Sequence, residues 1–70
     1  MKRIMYYIWQ ATSEENQNGT YHKSKPYEKL AQAQKDYKLI KNDFKSLEKT
    51  WEFFEHYDWH NEKEETIECQ

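Results

Sequence analysis

Trp51-Glu52-Phe53-Phe54-Glu55-His56-Tyr57-Asp58-Trp59 decides the fold, because residues 51–59 admit two readings. Upstream, Leu30, Ala33, Tyr37, Ile40, Phe44 and Leu47 recur at alternating intervals of three and four, the apolar stripe of an amphipathic helix. Trp51 and Phe54 prolong that rhythm with no Gly or Pro to stop it, so one reading is a single helix reaching about residue 58. The other is a strand, in which Trp51, Phe53, Tyr57 and Trp59 alternate and only Glu55 interrupts. Aromatic enrichment favours the strand. Residues 60–63 (His-Asn-Glu-Lys) then read as a turn, and Glu65, Ile67 and Cys69 share one face of a last strand. This reading predicts strands over 51–59 and 64–69.

Working outward, the helix is expected over about residues 26–46. Pro26 suits a first turn, where its missing N–H would be unbonded anyway, and Ser24 is a candidate cap. Lys35, Lys38, Lys41, Lys45 and Lys49 fall on the opposite side of that helix. At the other end of the chain, Ile4, Tyr6 and Ile8 alternate with Met5, Tyr7 and Trp9, so both faces are apolar. That pattern predicts a strand near 3–11, buried on both sides. Asn18-Gly19 is a strong hairpin signal, since both residues tolerate positive φ. A two-residue turn there would set Glu14 opposite Lys23, with a short strand over 20–23. The fold class is therefore α+β: a small antiparallel β-sheet with one amphipathic helix packed across it, in the order β(β)αββ.

The composition fits one domain spanning residues 1–70. Leu, Ile, Val and Phe number only ten of 70 residues, with no Val, while twelve residues are aromatic. The core must be mostly aromatic. A chain this short buries only ~60% of its unfolded surface, so its stability is expected to be marginal. A net charge of −2 argues against disorder driven by charge repulsion. There is no apolar run long enough to cross a membrane, and the basic, apolar start lacks the small-residue cleavage site of a signal peptide. With one cysteine, no internal disulfide can form. A cytoplasmic protein is expected.

Charge is divided unevenly. Residues 1–50 carry ten basic and six acidic side chains, whereas residues 51–70 carry one basic and seven acidic. The last third is thus an acidic, aromatic-rich segment and the helix back a lysine stripe. Catalysis finds little support: one Gly excludes a phosphate-binding glycine loop, and Cys69 lies beside the end of the sequence with no base nearby in it. His56, Asp58 and His60 alternate and could present two imidazoles and a carboxylate to Zn²⁺. Exposed polar residues on a strand explain the same pattern, so no metal and no cofactor is assigned.

Two binding readings remain. In the first, Phe54 and Trp59 anchor a protein interface ringed by Glu52, Asp58, Glu62 and Glu64, suited to a larger protein with a basic patch. In the second, Lys35, Lys38, Lys41, Lys45 and Lys49 track nucleic-acid phosphates, although a pI of about 5.9 argues against a dedicated nucleic-acid binder. The acidic segment and the lysine stripe could also pair two copies as a homodimer.

By its size and by the acidic, aromatic segment Trp51–Gln70, the chain resembles small inhibitor proteins encoded by phages and mobile elements, anti-CRISPR proteins among them. The resemblance rests on layout, without a shared motif. It implies a non-catalytic, cytoplasmic inhibitor of a larger host protein, possible anti-defence activity included, and it carries over no functional residue.

Overall fold

A computed structural model describes residues 2–11 and 21–69. Its elements are β1 (Lys2–Ala11), β2 (Tyr21–Lys23), α1 (Leu30–Leu39), β3 (Lys45–Glu55) and β4 (Asp58–Cys69). The four strands form one antiparallel sheet in the order β2-β1-β3-β4, with α1 across one face. The architecture is the expected α+β arrangement in β(β)αββ order.

The core lies between α1 and the two central strands. Ile8 of β1 pairs with Leu47 of β3, and Ala33 and Tyr37 of α1 pack onto them. Tyr6, Tyr27, Leu30, Ile40 and Ile67 close the margins. Tyr37, the aromatic member of that buried cluster, donates its hydroxyl hydrogen to the Lys45 carbonyl at 3.3 Å, so its polar handle is satisfied; the core is not the mostly aromatic one expected.

The helix is ten residues long rather than spanning 26–46. Both ends are set by contacts with β1. Before the helix, the chain runs alongside the strand. The Ser24 amide donates to the Ile8 carbonyl and the Ile8 amide to Ser24 Oγ, each at 2.9 Å, while Tyr6 and Tyr27 exchange backbone bonds of 2.9 Å. Ser24 therefore serves β1, not the helix, and Pro26 sits in this connecting stretch. Lys29 takes the N-cap position without a side-chain cap. At the far end, Ile40 is already extended. Asn42 donates to the Gln10 side chain at 3.3 Å and to the Ala11 carbonyl at 3.2 Å, and it accepts the Phe44 amide at 2.8 Å. Phe44 thus lies in the connection to β3, partly exposed, and Leu47 reaches the core from a strand. Three-and-four spacing does not distinguish the two routes, because either brings Leu47 under Tyr37.

The hairpin of β3 and β4 replaces the long helix, but its turn lies earlier than expected. Glu55 pairs with Asp58 across His56 and Tyr57, whose φ angles are 54° and 63°. Two consecutive left-handed residues form the turn that matches the twist of flanking strands, here without Gly or Asn. Residues 51–59 therefore straddle the turn, and 60–63 are strand. Cross-strand aromatic pairing fits this register: Phe53 stacks on His60 at 5.3 Å, and Phe54 meets Trp59 edge-on at 5.6 Å. Register shifts between Leu47/Glu48 and between Lys49/Thr50 break the single face expected for Glu65, Ile67 and Cys69. Ile67 packs toward the helix, whereas Cys69 pairs with Ser46.

β2 pairs Lys23 with Trp9, not with Glu14. Ser24 continues that alignment onto Ile8, and Tyr27, shifted by one residue, bonds to Tyr6, so backbone bonds hold the segment along β1. Asn18, Gly19 and Glu14 lie outside the described residues.

Candidate functional site

Strand alternation sorts the candidate residues onto two faces. Away from the helix, Arg3, Tyr7 and Glu52 form a linked cluster: Arg3 Nε donates to Glu52 Oε1 at 3.2 Å, and the Tyr7 hydroxyl donates to Glu52 Oε2. Tyr7 and Glu52 are both buried. Burial, followed by the hydrogen bond to Glu52 and its charge, pushes the Tyr7 phenol up to about 12, against a smaller opposing effect of Arg3. Buried and bonded to both Arg3 and Tyr7, Glu52 is a structural carboxylate, not a free acidic contact.

Phe54 and Trp59 lie on the same face toward the turn, and the Arg3 guanidinium sits 5.3 Å from the Trp59 ring centre. Both rings are half exposed, 49% and 51%. At the tip, Tyr57 is 97% exposed, the most exposed large apolar residue among those described. Its left-handed backbone holds the ring out beyond the sheet. The far corner of this face carries a second aromatic group, in which Trp9 meets Tyr21 edge-on at 6.2 Å and Lys23 lies over the Tyr7 and Trp9 rings at 4.5 and 5.7 Å.

Glu62 and Glu64 fall on the helix side. Glu62 pairs with Trp51, and Glu64 accepts from Lys49 Nζ at 3.0 Å. That bond is the main reason the Glu64 carboxyl lies below its ordinary range and Lys49 above its own. Asp58 closes the turn opposite Glu55 and accepts its neighbour's amide, that of Trp59, at 2.8 Å. The structure thus brings Phe54 and Trp59 together, buries Glu52 against Arg3 and Tyr7 on the same face, and separates Glu62 and Glu64 onto the other face. Tyr57 and Arg3 were not singled out from sequence. Nothing in Glu-His-Tyr-Asp resembles a turn signal, so the exposure of Tyr57 had no local signature.

The lysine stripe is dismantled. Lys35 and Lys38 are exposed on α1, and Lys41 follows it. Lys45 is buried, 7% exposed, and donates to the carbonyls of Tyr37 and Ile40 at 2.7 Å each, satisfying the helix C-terminus from β3. Lys49 is tied to Glu64. The stripe presupposed one helix through residue 49, and the chain turns into β3 before that.

His56, Asp58 and His60 do not converge. His56 occupies the tip, while His60 stacks on Phe53 with its Nε2 2.9 Å from the Glu55 carbonyl. Among the described residues no group of three or more His, Cys, Asp or Glu side chains is placed to share a metal ion. No helix among them is long and apolar enough to cross a membrane. No protein-family model, curated protein or solved structure matches the chain.

Proposed function

We propose that this chain is a non-catalytic protein-binding module that docks through the tip of the β3–β4 hairpin. Such a module would act as the small, cytoplasmic inhibitor of a larger host protein that the layout resembles. The observation that carries the reading is the tip itself. Tyr57, almost wholly exposed, is held on a left-handed backbone beside the half-exposed Phe54–Trp59 pair. An L-residue in that conformation costs roughly 1–2 kcal/mol, so the turn keeps a bulky aromatic where Gly would be easier. Glu55 and Asp58 flank it, which suits a partner surface that is basic around an apolar pocket. Aromatic anchors of this kind dominate binding when desolvated, at ~2 kcal/mol or more each.

The test is capture from nuclease-treated host lysate by the immobilised protein, compared with Tyr57→Ala and Trp59→Ala, with circular dichroism confirming that each variant folds. The reading expects a protein retained by the wild type and lost, or weakened by ~10-fold or more, in the folded variants. Retention at wild-type strength by both would remove the tip from the interface. A partner lost on nuclease digestion would point to nucleic-acid binding instead.

A further inference from the structure

We infer that the outer edge of β4, over Asp58–Lys63, accepts an extended segment of a partner protein as a fifth strand, one that is apolar on one side and basic on the other. The inference rests on the protein-binding reading above and adds a mode of binding and a partner chemistry. Among the described residues β4 pairs only with β3 and forms the sheet edge. Its register against β3 is unbroken from Asp58 to Lys63, and both irregularities lie beyond Lys63. That leaves a regular ledge ~20 Å long at the usual rise per residue.

In a two-residue hairpin the closing pair, here Glu55 and Asp58, exchanges backbone bonds, and the bonding direction then alternates. Trp59, Asn61 and Lys63 therefore turn their backbone groups outward; Asp58 already accepts the Trp59 N–H, so the template for another strand is the Trp59 carbonyl with the N–H and C=O of Asn61 and Lys63. The two faces of the ledge differ. On the helix-free side, Trp59 offers an exposed ring to an apolar neighbour. On the helix side, Glu62 stands exposed opposite Trp51, with Glu64 beyond it. Over its whole length β4 carries Asp58, Glu62, Glu64, Glu65 and Glu68 against the single base Lys63. A second copy of this edge would bring most of these acids near one another, so like-charge repulsion disfavours β4 pairing with itself and favours a basic strand. The other edge, β2, is only three residues long, too short to be the better template.

The probe is a short synthetic peptide alternating lysine with valine and threonine, added to the isotopically labelled full chain, with amide hydrogen exchange as the readout. The inference expects exchange of the Asn61 and Lys63 amides to slow by ~10-fold or more. Protection should weaken with salt and vanish when glutamate replaces the peptide lysines. Protection confined to β2, none at all, or equal protection by the glutamate peptide would overturn it. Asn61→Pro deletes one outward N–H without touching the β3 ladder, and this variant should fold yet lose the peptide. Unchanged peptide binding by the folded Asn61→Pro variant would also overturn the inference. Tyr57→Ala should leave the peptide bound, so failure of the edge and failure of the tip are read separately.

Discussion

Replacing Tyr57 by glycine should make the protein more stable and less able to bind. Tyr57 has φ of 63°, where an L-residue loses roughly 1–2 kcal/mol to the clash of its Cβ with the following carbonyl. Glycine removes that clash. It also gives back about 0.5–1 kcal/mol through the greater freedom of the unfolded chain. Because the ring is 97% exposed, almost no buried area is lost. The net gain is ~0.5–1 kcal/mol, and at ~4–8 °C per kcal/mol for a domain of this size the melting temperature should rise by ~2–8 °C. Tyr57→Ala supplies the contrast, since it removes the ring but keeps a Cβ, so its melting temperature should stay close to wild type. Thermal unfolding followed by circular dichroism reads both, and lysate capture reads function in the same samples. Both variants should lose the partner while only glycine gains stability. If glycine lowered the melting temperature, the ring would be a packing element and the argument for a strained, displayed anchor would fail.

Lys45→Met should destabilise by about 2–4 kcal/mol, since two charge-assisted bonds to the Tyr37 and Ile40 carbonyls are lost at the helix end; a denaturant midpoint equal to wild type would refute it. Alkaline stability should depend on Tyr7. Its phenol lies near 12 when folded and 10 when free, so folding favours the neutral form. That contribution, of order 2–3 kcal/mol, is complete below pH 10 and lost as pH rises toward 12. Tyr7→Phe should flatten that part of the stability–pH curve. On the acid side, Glu64 is lowered by its bond to Lys49, so the stabilisation it adds is present above its ordinary 4.5 and fades as pH falls through the folded value. Glu64→Gln should lessen the acid sensitivity of unfolding in that window.

The β1 strand was legible because its apolar run is local and continuous, and the helix because Leu30, Ala33 and Tyr37 mark its buried side. The preference for strand over a long helix at residues 51–59 came from the alternation of Trp51, Phe53, Tyr57 and Trp59 and from aromatic content; it ruled out the helix rightly, but the turn falls inside that stretch. Composition misjudged the core: Ile8, Ala33 and Leu47 build it with Tyr37, while Tyr6 and Tyr27 are partly buried at its margin. Tyr21, Phe44, Phe54, Tyr57 and Trp59 stay exposed, because the short helix covers only part of one sheet face. What the sequence left open was where each element stops. The helix ends where Asn42 binds the end of β1 and where Lys45 reaches back from β3, both non-local contacts. The turn falls at His56-Tyr57 in a register that seats Phe53 against His60 and Phe54 against Trp59, and neither turn residue advertises positive φ. That register decided the surface. Alternation put Glu62 and Glu64 on the helix side and Phe54 and Trp59 on the other, so residues adjacent in sequence face opposite ways. Charge and aromatic content can be counted along a chain, but which of them share a surface depends on strand register, and long-range pairing sets that register.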